Sequence, residues 1–520
     1  MLSAAQAPLR RYFALTALVL AALLGWYWHE SRPIDLPSSP LADPRMQCVS
    51  YAPYYRDGYT PFKKDLKLTR EEIATDLRSL AAVTRCVRTY SVDQGLDRVP
   101  EVARELGLTV LLGAWIGRDD DKNRHELERA LEVANANADV VTMLIVGNEV
   151  LLRREQSPEA MGRWLEEARA RSRVPVTYAD VWEFWLRHRS ALEPHVDRAT
   201  IHILPYWEDR PQPIEAAIDH LVRIRTLART LLTKPVVIGE TGWPSAGRQR
   251  EGAIPSRVNQ ARYVREFLAL AERHGWQYNF IEAVDQPWKR WLEGTVGGHW
   301  GMLDTSLAPK FPLTGPIAER ASFWPVLAWA GMGAALLLLM AAPRAASGRE
   351  HAWYALAGAV LGLIAMWQWE HALLAYRDAM EWAVLGAIGL ASLLLGARLA
   401  VTPRLPSQTT ASKYVALALR LLLFCAAVAS VWLVVDGRYR DFPTALYLPL
   451  ALFAWRRAWE VSAEERLWAW ILFAFGLYRW LEEPGNGQAL LWGLTAMTFA
   501  RAIHAAHRRT TAAAKPIAPQ

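Results

Sequence analysis

The chain has 520 residues, room for more than one domain, and carries a formal net charge of +7 with 25 Trp. Its 3 Cys exclude a disulfide scaffold and a Cys-rich zinc module. No basic stripe with RNA-reading motifs accompanies the excess charge, which excludes nucleic acid as a partner; much of the excess is Arg beside apolar segments, as membrane topology would require.

Arg10 and Arg11 precede an apolar run, Tyr12 to Trp28, long enough to cross a bilayer. It ends in Trp and Tyr rather than in a small-residue cleavage site, so residues 1–29 read as an uncleaved transmembrane anchor with a cytoplasmic N-terminus. Residues 30–45, rich in Pro and Ser, read as a linker. Residues 46–320 have the composition of a globular domain in which strands alternate with helices. Strands are expected near 47–53, 86–91, 108–115, 140–147, 174–180, 199–205, 235–240 and 278–285. Helices are expected from Arg70 to Ala82 and Arg257 to His274, and Ser157-Pro158 reads as a helix start. Eight such repeats match a (β/α)8 TIM barrel. A doubly wound open sheet is the alternative, but no Gly-rich phosphate loop follows the first strand.

Residues 321–505 read as an all-α transmembrane domain with spans near 323–342, 352–369, 382–399, 413–435, 443–457, 465–481 and 486–503. The span at 443–457 is short for a full crossing. Arg344 and Arg349, then Arg398, Arg404 and Lys413, then Arg456 and Arg457, then Arg508 and Arg509 fall on alternate connections. The intervening connections hold Glu370, Asp378 and Glu381, or Asp436 and Asp441, or Glu482 and Glu483. This alternation predicts eight spans with both termini inside, the barrel outside, and 506–520 as a cytoplasmic tail. Arg420, within a span, reads as snorkelling to the cytoplasmic face, with pairing inside the bundle as the alternative. Cys48 and Cys86 fall on neighbouring parallel strands, a poor geometry for a bridge, so they are expected as two buried thiols.

Two stretches carry the chemistry. Met143-Leu-Ile-Val-Gly-Asn-Glu149 and Val236-Val-Ile-Gly-Glu240 are apolar strands that each end on a carboxylate. In a β/α barrel the site lies at the carboxyl ends of the strands, so Glu149 and Glu240 form a candidate pair. Glycoside cleavage needs such a pair, one carboxyl to protonate the leaving oxygen and one carboxylate to attack the sugar or activate water. The other strand ends supply Tyr54, Arg88, Tyr90, Asn148, Tyr178, Asp180, Tyr206, Trp243, Gln286, Trp288 and Lys289. Aromatic faces stack on sugar rings, and short polar groups fix hydroxyls. Arg88, if beside Glu240, would help keep it ionised. Each also has a structural reading: Glu149 could pair with Arg153, and Tyr178 and Tyr206 could be rim aromatics. No His-Glu-x-x-His is present and no motif implies a metal or cofactor.

Asn148-Glu149, Gly239-Glu-Thr-Gly-Trp-Pro-Ser245, Tyr51-Ala-Pro-Tyr54, Arg88-Thr-Tyr-Ser91 and Asp285-Gln-Pro-Trp-Lys289, which follow the family's order along the chain, resemble family 17 glycoside hydrolases, and residues 292–301 resemble bacterial members fused to membrane domains. The resemblance implies a retaining β-1,3-glucan hydrolase or glucanosyltransferase on a β/α barrel. Carried over, Glu149 is the acid/base, Glu240 the nucleophile, and Asn148 binds the sugar 2-hydroxyl. Tyr206 lines the cleft or orients the nucleophile. Gln286 departs from the pattern, since relatives tend to have Glu there. The same residues serve hydrolysis and transfer, so that choice stays open. The expected setting is a bacterial inner membrane with the barrel in the periplasm; the expected partners are β-glucan, membrane lipid and a glucan synthase. A non-catalytic barrel that guides glucan for a synthase or transporter is the alternative, and glucan or lipid-linked sugar movement by the membrane half is a third reading.

Overall fold

The computed structural model describes residues 6–37, 43–341, 345, 347–401, 410–456 and 461–513. These fall into two compact units: Ile34–Ala246 with Gly252–Ile317, and Met1–Pro33 with Gly247–Glu251 and Ala318–Gln520.

The first unit is a closed barrel of eight parallel strands in sequence order: β1 (Val49–Ser50), β2 (Cys86–Arg88), β3 (Thr109–Ala114), β4 (Val141–Asn148), β5 (Val176–Val181), β6 (Arg198–His202), β7 (Val236–Thr241) and β8 (Tyr278–Phe280). Pairs such as Val49↔Val87 and Val49↔Phe280 set the register and close the ring, so the open-sheet alternative is set aside. The strands are near-continuous apolar runs because both faces are covered. Along β4, Met143 and Ile145 join Ala179 and Val237 in one small cluster. Leu144 and Val146 alternate with them and belong to the large core shared with the helices.

The helices begin where their capping residues stand. Thr69 forms a reciprocal capping box with Glu72 at the start of Arg70–Ala81. Ser157 caps Pro158–Arg171, and Ser256 caps Arg257–His274, which closes on Gly275 at φ 60°. Leu77 and Leu80 of the first of these helices are fully buried, each contributing about 1.5–3 kcal/mol of apolar burial.

The expectation of two free thiols is corrected. Cys48 and Cys86 form a disulfide with Cα atoms 4.3 Å apart. They sit just ahead of the registered pair Val49↔Val87, so the two residues lie side by side where the strands begin.

In the second unit the helices are Gln6–Glu30, Trp324–Ala341, Gly348–Ala375, Ala379–Val401, Thr410–Val435, Thr444–Phe453, Ala463–Glu482 and Gly487–Ala513. Among the described residues, 5 segments are long and apolar enough to cross a membrane: Tyr12–Glu30, Trp324–Ala341, Gly348–Ala375, Ala379–Val401 and Lys413–Val435. The expectation was eight. Thr444–Phe453 has only 10 residues, and the last two helices carry more charge, such as Glu464, Glu465, Arg466 and Arg479 in Ala463–Glu482. Gly333 explains how two of the helices approach: a Cβ there would stand 2.2 Å from the Gly358 carbonyl oxygen. Arg420 is half exposed and lies 3.7 Å from Glu465, so it is paired as well as accessible. Arg344, Arg404, Arg457, the tail 514–520 and linker residues 38–42 lie outside the described residues, as do the side chains of Arg10, Arg11 and Arg509.

Candidate active site

At the end of β4 the chain leaves the sheet through two left-handed residues, Gly147 at φ 81° and Glu149 at φ 53°. A Cβ on Gly147 would meet Val150 at 2.8 Å, so only glycine fits that turn. The Glu149 amide donates to the Ala179 carbonyl of β5 at 2.8 Å. Holding a non-glycine residue in this conformation costs about 1 kcal/mol or more, the kind of strain that accumulates at functional sites.

Glu240 comes from β7 and is buried. Its Oε1 accepts from Arg88 Nη1 at 3.0 Å and from the Tyr90 hydroxyl at 2.8 Å, which leaves Oε2 as the unengaged oxygen. Arg88 also donates to the Gly239 carbonyl at 2.8 Å and to Asn148 Oδ1 at 2.5 Å. His202 Nε2 lies 3.0 Å from the same Asn148 oxygen. With its oxygen fixed from two sides, Asn148 presents its amide nitrogen to a ligand. A Glu149 oxygen, a His202 ring nitrogen and a Glu240 oxygen all lie within 4.8 Å of one another.

The two carboxyls are driven apart electrostatically. Burial raises the Glu149 pKa, and the charges of Glu240 and Asp180 raise it further, while Arg153 lowers it. Burial would also raise Glu240, but His202, Arg88, Lys289 and the Tyr90 hydroxyl outweigh it and hold that group below its ordinary value. His202 can contribute only when protonated, and its own burial pushes it down to about 4. Above that pH Arg88 and Lys289 carry the effect. At neutral pH Glu149 is the proton holder and Glu240 the anion, a division of labour set by environment. The Glu149, His202 and Glu240 atoms could also ring a cation. Arg88 and Lys289 already neutralise Glu240, so the charge balance opposes one.

The other expected ligand-contacting residues divide into three groups. Arg88, Tyr90, Asn148 and Lys289 meet at Glu240, by contact or by charge. Tyr54 and Trp288 stand together at 6.2 Å, with Phe62 against the same indole at 5.7 Å. Tyr178, Tyr206, Trp243 and Gln286 are buried. Tyr178 bonds Asp180 and accepts from the Leu151 amide at 3.0 Å, so it pins the loop that carries Glu149. Tyr206 is walled in by Trp207, Trp243 and Trp300. Trp243 is fully buried and donates to the Ile254 carbonyl at 3.0 Å. Gln286 donates to the Ala52 and Val284 carbonyls at 2.7 and 3.0 Å and accepts from Trp288.

Four residues escaped the sequence reading. His202 is a polar residue at the end of β6. Ser50 donates to the Tyr90 oxygen at 2.9 Å and accepts from Asn279 at 2.8 Å. Glu282 lies just past β8 and accepts from Lys289 Nζ at 2.9 Å. Burial pushes the Glu282 carboxyl up to about 7 against the pull of Lys289. Strand-end position was the signal that could have found His202 and Glu282.

A closed parallel barrel with two opposed carboxyls at its strand ends defines a glycosidase-type site. Residues 48–301 match the model of the BtgE/BtgC glycoside hydrolase domain. The chain is similar to the probable beta-glucosidase btgE of Aspergillus flavus, 28% identical over 266 residues, 49% of this chain and 42% of that protein. It thus spans well under half the length of that relative. It is also similar to the glucan 1,3-beta-glucosidase of Arthroderma benhamiae, 27% identical over 253 residues, 45% of this chain and 82% of that protein. Among solved structures, an active-site mutant of the Rhizomucor miehei beta-1,3-glucanosyltransferase in complex with laminaritriose is 26% identical with a TM-score of 0.44, covering 53% of this chain and 98% of that one. These relatives are fungal.

Proposed function

We propose that the chain is a membrane-anchored, retaining β-glucan enzyme that acts through a glycosyl-enzyme intermediate. The observation that carries the reading is the pair Glu149 and Glu240, within 4.8 Å and shifted in opposite directions. Retaining glycosidases hold their carboxyls roughly 5–5.5 Å apart, whereas inverting ones leave room for water. Glu240 Oε2 attacks the anomeric carbon while Glu149 protonates the leaving oxygen; Asn148 holds the neighbouring hydroxyl. Water then resolves the intermediate as a hydrolase, or a sugar hydroxyl as a glucanosyltransferase. A barrel that only guided glucan would have no use for this division of protons. The relatives' names favour β-1,3-glucan. The apolar helices favour anchoring, and the disulfide favours an oxidising compartment, the periplasmic face of a bacterial inner membrane in this reading. Membrane lipid surrounds the anchor there, and a glucan synthase is the partner that would supply substrate.

The test uses the full chain in detergent on β-1,3-gluco-oligosaccharides, with products read by mass spectrometry and the first-formed anomer by NMR. Retained configuration is expected, with turnover abolished in Glu240→Gln. Products longer than the substrate mean transfer, and only shorter ones mean hydrolysis. Inverted configuration, or an active Glu240→Gln variant, overturns the reading.

A further inference from the structure

The retaining reading leaves one requirement open. Glu149 must give up a proton in the first half-reaction and accept one in the second, so its surroundings have to serve both states. The groups that face it come from every side of the site: Glu240 on β7, Asp180 on β5, His202 on β6, Glu293 after β8, and Arg153 four residues beyond Glu149 itself. All but two of these are carboxyls. His202 is neutral above about pH 4, so among the groups named here Arg153 supplies the positive charge that bears on Glu149.

Arg153 is placed with care. Its amide donates to the Glu149 carbonyl at 2.9 Å, which fixes its backbone to that of the acid/base. Its guanidinium lies over the Trp115 ring, 4.5 Å from the centroid. Nε donates to Glu155 at 3.0 Å, and Nη1 is left facing Glu149 Oε2 at 4.0 Å. Glu126 in turn holds the Trp115 amide at 3.2 Å. The result is a cation kept near the carboxyl but outside hydrogen-bond distance. A closer contact would strip the proton that the first half-reaction needs.

We propose that Arg153 is the positioning residue that converts Glu149 from acid to base between the two half-reactions; this deepens the retaining assignment and rests on it. In the first step, Glu240 Oε2 bonds to the anomeric carbon and the bond to the leaving oxygen breaks. That oxygen takes the proton from Glu149. Glu240 is now a neutral ester, and the largest negative charge facing Glu149 is gone. Arg153 remains 4.0 Å away and stabilises the Glu149 carboxylate. In the second step a water or sugar hydroxyl gives its proton to Glu149, its oxygen bonds to the anomeric carbon, and the ester bond breaks to restore the Glu240 carboxylate. The switch therefore needs a fixed cation on the acid/base side and an anion that vanishes on the other.

The test takes the full chain in detergent with an aryl β-glycoside of a laminari-oligosaccharide whose phenol leaves without acid help. In Arg153→Gln the second step should slow: kcat falls about tenfold or more while kcat/KM changes less than about threefold. A burst of phenol and a glycosyl-enzyme mass should appear. On unactivated oligosaccharide, the alkaline limb of kcat/KM should move up by about half to one pH unit. Arg153→Lys should restore most of kcat, and Glu155→Gln, which frees the guanidinium, should show the same split more weakly. An equal loss in kcat and kcat/KM with an unmoved alkaline limb overturns the proposal and leaves the retaining assignment standing. A wild type that inverts, or does not turn over, overturns the parent reading and this one with it.

Discussion

Replacing Lys289 with Met keeps the length of the side chain and removes its charge. Lys289 Nζ stands 2.9 Å from Glu282 Oε2, and the two side chains are 15% and 1% exposed. Oε1 of Glu282 is buried with no hydrogen-bond partner, so Lys289 is its main compensation. Removing one partner of a buried pair costs about 3–5 kcal/mol, because an isolated charge stays behind. At about 2–4 °C per kcal/mol for a unit of this size, Tm should fall by roughly 6–20 °C. The loss should depend on pH. A carboxyl raised to about 7 in the fold favours folding at low pH and stops doing so as pH rises through that value. Without Lys289 it rises further, so the loss should be small near pH 5 and full near pH 8.5. Adding Glu282→Gln removes the stranded charge and should recover half or more of the Tm, a coupling of about 2 kcal/mol. Turnover should stay low in both variants, because Glu240 has lost one of its cations. Calorimetry of the full chain at the two pH values, with oligosaccharide turnover alongside, reads all of this. A Tm loss equal at both pH values, or no recovery in the double variant, would refute the reasoning.

Turnover should follow a bell in pH. Glu240, held low, sets the acid limb, and Glu149, held high, sets the alkaline limb; rates of kcat/KM between pH 3 and 10 check this, and a profile flat through the alkaline range would contradict it. Tyr178→Phe should leave the fold intact but loosen the loop held through the Leu151 amide, lowering kcat about tenfold with little change in Tm, since a single hydrogen bond contributes about 1 kcal/mol. Replacing Cys48 and Cys86 together by Ala should cost the barrel about 3–4 kcal/mol, from the 38-residue separation the bridge closes. Thermal unfolding with and without reductant reads this in the wild type.

The barrel was legible because its strands are short apolar runs at even spacing, and the carboxyl pair because each Glu stands where such a run stops. What stayed hidden was side-chain direction beyond the strand ends. Tyr178, Tyr206 and Trp243 carry the residue types of a sugar platform, yet Asp180, Trp300 and the Ile254 carbonyl draw them into the wall. Glu282 lay inside the expected strand 278–285, but the observed strand stops at Phe280, and this brings the carboxyl to Lys289. The span count rests on a different signal. Charge alternation marks where a chain turns, and it says nothing of whether each helix between turns is long and apolar enough to cross. The bridge was missed because its geometry depends on register, and two residues level with each other at the foot of neighbouring strands come closer than strands do on average.

The barrel unit opens at Ile34 and closes at Ile317, and these two residues are hydrogen-bonded to each other, amide to carbonyl, at 2.8 and 3.0 Å. The first and last residues of the barrel unit therefore lie side by side, as the termini of a domain often do. The barrel also cannot be sealed until its last strand has been made, because β1 waits for β8 across nearly the whole unit.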